Sequence, residues 1–219
     1  MKYSRTLIGL ALVTAGVSAS AQSITTLFAE NNQGNLNASV YFDIVAGSLD
    51  IEVSGWDWNI VQAAGVSFGI SVWTRPGGAF GFEESNAGWV FETGGSGVSA
   101  GPDMPSVITQ DNDFLFPRNT TTGVMLVTGL TASHHYTTGT PNVSGAYGTA
   151  TNATYSNADM TILLGGSTNS PWNNANNGYF NPRIANFTMY YTAIPEPGSM
   201  IALGIGVAAL LARRRRKIA

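Results

Sequence analysis

Apolar residues occupy every second position in several short stretches between residues 22 and 194. This period of two is typical of β-strands with one buried face. No window of twelve residues in this part of the chain shows the apolar stripe, repeating every 3.6 residues, that indicates an amphipathic helix. The side chains that we expect to face the core include Val40, Phe42, Ile44, Leu49, Ile51, Val53 and Leu126.

Loops rich in Gly, Pro, Asn and Ser separate these stretches, among them residues 94–105 and 168–182. A short glycine-containing turn at residues 46–48 predicts a hairpin between the second and third strands. The pattern predicts an all-β domain over residues 22–194, an antiparallel β-sandwich or jelly roll. The predicted strands are Ile24–Phe28, Ser39–Val45, Leu49–Trp56, Val66–Thr74, Trp89–Thr93, Gly123–Thr128, Asp159–Leu164 and Arg183–Thr192.

The start of the chain has the features of a signal peptide. Two basic residues precede the apolar run Leu7–Val17, which is too short to span a bilayer. Ala19 and Ala21 then provide the small side chains that a signal peptidase requires, so we expect cleavage before Gln22. The alternative interpretation of residues 1–21 is an uncleaved membrane anchor.

Residues 195–219 form a tail of three ordered parts. Pro195, Glu196 and Pro197 come first and prevent a helix from continuing out of the domain. An apolar run of fifteen residues follows at 198–212, shorter than the roughly twenty of an ordinary spanning helix. Because basic residues resist translocation, we expect a short membrane helix held by a cytoplasmic cluster. That cluster consists of Arg213, Arg214, Arg215, Arg216 and Lys217.

These three parts, placed behind a signal peptide, resemble the PEP-CTERM sorting tail. The resemblance covers about 25 residues. It implies recognition by an exosortase, a membrane transpeptidase-like enzyme thought to cut near the Pro-Glu-Pro segment. It also implies a bacterium with a double-membraned envelope that exports exopolysaccharide. A plain tail anchor that is never processed remains the alternative.

Charge is distributed very unevenly along the chain. Residues 22–194 contain no lysine, three arginines and twelve acidic residues, a formal charge of −9. A domain of that charge repels polyphosphate, which argues against nucleic acid as a partner. The chain also contains no cysteine, which excludes disulfides, thiolate metal sites and a cysteine nucleophile.

Residues 97–101 fit the Gly-x-Ser-x-Gly pattern of hydrolase nucleophiles, and acidic residues and then His134 and His135 follow in the order of a catalytic triad. That pattern requires a strand before the serine and a helix after it. Two prolines follow here instead, and residues 65–69 fit the same pattern inside a predicted strand. We therefore interpret both matches as chance and expect the two histidines to decorate a loop.

Clusters of acidic and amide side chains offer two further possibilities. Residues 57–59 and 111–113 contain oxygen ligands that calcium accepts, although neither continues into a complete binding loop. Glu83 and Glu84 are adjacent, whereas a glycosidase needs two acids that face each other across a cleft. We expect these two glutamates to be a solvated pair, and we assign no cofactor or metal.

Tryptophan residues near polar turns are the most suggestive chemistry in the domain. Trp56, Trp58 and Trp172 lie among Asn, Asp and Gly residues, where sugars could stack on flat rings and bond to amides. The alternative is that these rings fill the core. The sequence thus favours a non-enzymatic, exported envelope or matrix protein associated with exopolysaccharide. A carbohydrate-binding module is the first alternative and an extracellular hydrolase the second.

Overall fold

Antiparallel β-strands account for the regular structure of the computed structural model, which describes residues 21–172 and 178–195. Within those ranges there are fourteen strands and no helix. The strands are Gln22–Thr25 (β1), Asn32–Gln33 (β2), Ser39–Ala46 (β3), Asp50–Asn59 (β4), Ser67–Pro76 (β5), Val90–Val98 (β6), Pro105–Gln110 (β7), Phe114–Phe116 (β8), Thr121–Thr128 (β9), His135–Thr138 (β10), Thr154–Ser156 (β11), Met160–Thr168 (β12), Tyr179–Ala185 (β13) and Phe187–Ile194 (β14).

The predicted signal peptide, apart from Ala21, lies outside the described residues. The predicted membrane helix at residues 198–212 lies outside them too. In the part of the chain that is described, no helix has the length and apolar character needed to cross a bilayer.

The strands form one sheet in the order β1-β14-β4-β7-β6-β5-β9-β3-β12-β13-β10-β2, with β11 paired to β12 and β8 paired to β4. This sheet folds over itself. The ring of Phe42 on β3 lies 4.9 Å from that of Phe187 on β14 and 6.2 Å from that of Trp56 on β4, although these strands are not neighbours in the sheet. Contacts between faces of distant strands are those of a sandwich, so the predicted all-β sandwich is confirmed.

The core lies between the two layers and follows the alternation of the sequence. Six of the seven side chains expected to face inward are fully buried: Val40, Phe42, Ile44, Ile51, Val53 and Leu126. The seventh, Leu49, is half-buried because it lies in the turn before β4. The period-two pattern of apolar residues in the sequence therefore identifies the inner face of β3 and of the first half of β4 correctly.

A second buried layer covers the opposite face of β3 and β9. Tyr41 and Met125 lie opposite each other on these strands, and both are fully buried although they point away from the main core. The β5–β6 connection, residues 77–89, packs over them through Ala79 and Trp89. Tyr147, from the connection between β10 and β11, joins the same cluster.

Three of the predicted loops contain strand residues. Residues 94–105 include the second half of β6, which pairs with β7 from Gly95 to Gly97. A Cβ atom at Gly95 would lie 3.0 Å from both the Ile108 side chain and the Thr109 carbonyl oxygen, so glycine permits the close approach of β7. Residues 168–182 include the first four residues of β13, which begins at Tyr179. The loop expected at the histidines is also wrong: His135 begins β10 and His134 forms a bridge with Ile60.

Candidate functional site

Glu83 lies in the β5–β6 connection and is buried, with 4% of its surface exposed. The expectation of a solvated pair is therefore wrong for Glu83, while the neighbouring Glu84 is exposed. Burying a carboxylate is costly unless hydrogen bonds compensate for its lost hydration. The hydrogen-bond partners of Glu83 are therefore the starting point for describing this part of the surface.

Tyrosines supply those partners. The Tyr147 hydroxyl donates to Glu83 Oε1 at 2.6 Å, and the Tyr41 hydroxyl donates to the Glu83 carbonyl oxygen at 3.0 Å. Tyr179 lies at the edge of the same group, where its hydroxyl accepts a hydrogen bond of 2.7 Å from Asn181. Burial raises the pKa of Tyr147 and of Tyr179, and the charge of Glu83 raises both further. Tyr147 is thus a neutral donor to the buried carboxylate, and Tyr41 binds the backbone of the same residue.

A second buried acid, Asp43, fastens the beginning of the same loop. The Ala79 N–H donates to Asp43 Oδ1 at 2.6 Å, and Gly78 adopts a φ of 96° beside the carboxylate. Burial raises the pKa of Asp43 from 3.8 to about 6, the Ala79 N–H lowers it, and the charge of Glu83 adds to the rise.

Arg75 holds this loop from the other side. Its guanidinium donates to the Gly78 carbonyl oxygen and lies over the ring of Phe82, 3.4 Å from the ring centroid. A cation over an aromatic face is attracted by the ring quadrupole. Together, Asp43, Glu83 and Arg75 attach the β5–β6 loop to the outer face of the sheet.

Trp56 and Trp58 do not form a sugar platform. Both are fully buried in the main core, where Trp56 packs edge-on against Phe187 at 5.4 Å. Both side chains point inward because β4 continues to Asn59 and residues 56 and 58 share one face of it. The predicted glycan contacts of these two residues are wrong, since no sugar ring can reach their faces.

Trp172 has a different environment. It is half-buried, adopts a φ of 55°, and packs edge-on against Trp73 with ring centroids 4.8 Å apart. Phe91 also packs edge-on against Trp73, with ring centroids 5.3 Å apart, and is 51% exposed. These three residues form what we call the aromatic surface: Trp73, Phe91 and Trp172. Glycan contact by Trp172 stays a prediction.

The serine in the Gly-x-Ser-x-Gly match is bonded to backbone groups. Ser99 is buried, its hydroxyl donates to the Gln62 carbonyl oxygen at 2.6 Å, and it accepts from the Gly101 N–H at 3.1 Å. This is the geometry of a turn stabilised by a side chain. Ser67, in the other match, is exposed on β5.

The two histidines are buried and do not decorate a loop. His134 stacks on Trp58 with centroids 5.1 Å apart and planes 17° from parallel, and burial lowers its pKa from 6.5 to about 3. It is therefore neutral near pH 7. His135 Nδ1 lies 3.5 Å from Glu30 Oε2.

The candidate calcium ligands are engaged in hydrogen bonds within the protein. Asn59 Nδ2 donates to Asp103 Oδ1 at 3.1 Å, and the Asp103 N–H donates to Asn59 Oδ1 at 2.9 Å. Asp57 accepts a hydrogen bond of 2.6 Å from Tyr190, and Asp113 accepts one of 3.2 Å from Gln110. In the described part of the chain, no three His, Asp or Glu side chains are grouped so that they could hold a metal ion.

Two shallow depressions lie on the surface of the described domain. One, of about 300 Å³, is lined by residues between Pro141 and Ala150. The other, of about 500 Å³, lies over β5, β6 and β7 near Phe68, Val98 and Val107. Neither lining contains a histidine or an acidic residue.

The termini of the domain lie close together. Gln22, the residue expected at the mature N-terminus, pairs with Tyr191 on β14. Pro195 follows the last residue of β14 directly, and the other residues of the predicted sorting tail, from Glu196 to Lys217, lie outside the described residues. The first residue of the Pro-Glu-Pro segment thus comes directly after the sheet in the sequence.

Comparison with known proteins concerns this tail. No curated protein is detectably similar in sequence to the chain. Residues 193–217, however, match the PEP-CTERM protein-sorting motif, as expected of an exosortase substrate. The predicted resemblance is confirmed, and the chain is an exported protein that carries a PEP-CTERM protein-sorting motif.

Proposed function

We propose that this chain is a non-enzymatic envelope or matrix protein that associates with exopolysaccharide after sorting through its tail. The sorting motif at residues 193–217 carries the proposal, because such a motif directs a protein to the envelope. In this proposal the apolar run at 198–212 anchors the precursor in the membrane, with residues 213–217 on the cytoplasmic side.

The character of the described domain supports a role in binding or structure rather than in catalysis. Among the described residues, the three buried acids, Glu83, Asp57 and Asp43, accept hydrogen bonds from the protein's own Tyr147, Tyr190 and Ala79 N–H, respectively. The Ser99 hydroxyl is bonded to backbone groups, and the two surface depressions have no titratable lining. General acid–base chemistry needs a titratable group that a substrate can reach.

Processing tests the sorting part of the proposal. In a host that has the exosortase, intact-mass measurement of the envelope fraction should find a protein that begins at Gln22 and ends near Pro195–Pro197. In a strain without the exosortase the tail should remain. Full-length protein in the envelope of the first host would contradict the proposal. Replacing residues 213–217 with glutamine should release precursor from the membrane, because the basic cluster is the retention signal.

Association with exopolysaccharide needs a separate measurement. The mature protein should co-sediment with the polysaccharide of its own host and should be released when that polysaccharide is digested. A mature protein that stays in the soluble fraction, with or without the polysaccharide, would contradict this part. That result would leave sorting intact.

Carbohydrate binding through the aromatic surface is a second candidate, favoured by the partly exposed rings of Trp172 and Phe91. Aromatic faces beside hydrogen-bonding groups are typical sugar contacts. If this surface binds glycan, Trp172→Ala should weaken binding to the host polysaccharide at least tenfold. Phe180→Ala, which removes an exposed ring on β13, is the matched control and should bind normally. Equal effects of both substitutions would argue against a defined site.

A further inference from the structure

The last strand is held unevenly along its length. β14 lies between β1 and β4, but β1 pairs only with Thr188–Tyr191, whereas β4 pairs with β14 as far as Ile194. Within the described residues, Thr192–Ile194 therefore have a strand partner on one side only. The pairing with β4 also changes register between Tyr190 and Tyr191, one residue before the one-sided part begins at Thr192.

Tyr191, the residue just before the one-sided segment, is held in place by burial and by hydrogen bonds of its side chain. Its side chain is fully buried, and its hydroxyl lies 2.9 Å from Asp159 Oδ2 and 3.2 Å from Gln22 Oε1, both acceptors. The hydroxyl oxygen accepts from Asn157 Nδ2 at 2.7 Å. Thr192–Ile194, in contrast, are only half-buried.

The Pro-Glu-Pro segment follows Ile194 directly, and the matched sorting motif begins within the one-sided segment, at residue 193. Three residues, 195–197, separate Ile194 from the apolar run that starts at Gly198. Fully extended, three residues span about 10 Å. An enzyme that cuts near Pro-Glu-Pro therefore has only these three residues of backbone between the folded sheet and the proposed membrane segment.

We propose that Thr192–Ile194 detaches from β4 and acts as a spacer that presents the Pro-Glu-Pro segment to the processing enzyme. Detachment ends at Tyr191, whose buried hydroxyl network holds the rest of β14 in place. The spacer roughly doubles the free length before the apolar run, from three residues to six, about 20 Å when extended. This inference rests on the proposed processing of the tail.

Detachment leaves the rest of the sheet intact. β4 keeps its second neighbour in this region, because Ile51 and Glu52 also pair with Phe116 and Leu115 of β8. Of the three residues that leave, Ala193 packs against the main core. Local opening of an element with few buried contacts is a common low-energy motion of native proteins.

Pulse-chase labelling of the full chain, in a host that has the processing enzyme, tests the spacer. Deletion of residues 192–194 should slow tail removal at least tenfold. Replacement of the same residues by Gly-Ser-Gly should restore the wild-type rate or exceed it, because a spacer needs length and freedom rather than particular side chains. Wild-type processing of the deletion variant would overturn the proposal. Equally slow processing of both variants would also overturn it, because the enzyme would then be reading residues 192–194 themselves.

A third variant avoids any change within the strand. Insertion of Gly-Ser-Gly between Ile194 and Pro195 supplies a ready spacer, so tail removal should become at least twofold faster. An unchanged or slower rate of tail removal would contradict the proposal. This result would count even if the deletion variant misfolded, and protease digestion of the domain in the same cells would show whether it had. A wild-type chain that keeps its tail would overturn the proposed sorting itself. Normal processing of both the wild-type chain and the deletion variant would overturn only the proposed spacer.

Discussion

Tyr147 and Glu83 form a buried hydrogen bond of 2.6 Å between two connections that are 64 residues apart in the sequence. The carboxylate comes from the β5–β6 loop, and the hydroxyl from the connection between β10 and β11. The pair therefore joins two loops to each other over the outer face of β3. Hydrogen bonds to a buried charge contribute more than neutral ones because they replace lost hydration.

Removing this hydroxyl should destabilise the domain. Tyr147→Phe keeps the ring but leaves Glu83 without its short donor, so the free energy of unfolding should fall by about 1.5–3 kcal/mol. Chemical denaturation at pH 7 measures the change. Tyr136→Phe is a matched control, because Tyr136 is also buried and its ring should be retained in the same way. A loss for Tyr147→Phe no larger than that of the control would show that the bond to Glu83 contributes little.

The ring of Tyr147 also explains why two adjacent positions on β12 are occupied by glycine. A Cβ atom at Gly165 would lie 2.4 Å from a Tyr147 ring carbon, and one at Gly166 would lie 2.4 Å from its hydroxyl oxygen. Gly165→Ala should therefore destabilise the domain by about 2–3 kcal/mol, within the range of overpacking substitutions.

The control for this substitution is Gly69→Ala on β5, where a Cβ atom would meet its nearest neighbour at 3.7 Å. Thermal unfolding should show a loss for Gly165→Ala and little change for Gly69→Ala. In a Tyr147→Ala background the cost of Gly165→Ala should largely disappear. A cost that persists there would mean that the tyrosine ring is not the obstacle.

Local alternation explains how much of the fold can be predicted. Val40, Phe42 and Ile44 face the core because side chains alternate across a strand and their neighbours on β3 are less apolar. The same rule assigns Tyr41 and Asp43 to an exposed face, yet both are buried. Their cover comes from the β5–β6 loop, more than thirty residues away, and no local pattern encodes such docking.

The buried tryptophans show the same limit for the candidate site. Polar neighbours such as Asp57 and Asn59 suggested a turn around Trp58, whereas they lie within β4 and are satisfied by Tyr190 and Asp103 from distant segments. No local pattern indicates the buried role of Glu83 either, because its tyrosine partners are far away in the sequence. The sorting tail could be predicted because its three parts are contiguous.

Asp43 gives the domain a component of stability that increases in mild acid. Its folded pKa of about 6 lies above the ordinary value of 3.8, so the folded state binds this proton more tightly than the unfolded chain does. The contribution is present below about pH 4 and is lost as the pH rises through 6. At pH 7.5 the ionised, buried carboxylate should cost about 2–3 kcal/mol.

Asp43→Asn tests this cost, because the amide oxygen can still accept from the Ala79 N–H. The variant should exceed the wild type in free energy of unfolding at pH 7.5 by up to about 2 kcal/mol. The advantage should shrink to about zero near pH 4. Asp113→Asn, at an exposed residue, is the control for the loss of one carboxylate. An Asp43→Asn protein that is less stable than the wild type at every pH would mean that the ionised carboxylate is needed to hold the loop.

His134 gives the domain a component of stability with the opposite pH dependence, one that decreases in acid. Its folded pKa, about 3, lies below the ordinary 6.5 because the ring is buried against Trp58, so the unfolded chain binds the proton more tightly. The stability that comes from a neutral His134 is present above pH 6.5 and is lost as the pH falls towards 3. Between pH 7 and pH 4.5 this loss should reach about 2–3 kcal/mol.

His134→Leu cannot take up a proton, so its free energy of unfolding should fall less over that interval than that of the wild type, whatever the packing cost at pH 7. The slope against pH separates the two effects, since a cavity or a lost stacking contact shifts stability equally at both pH values. Parallel slopes for the two proteins in urea denaturation would show that His134 does not contribute to acid sensitivity.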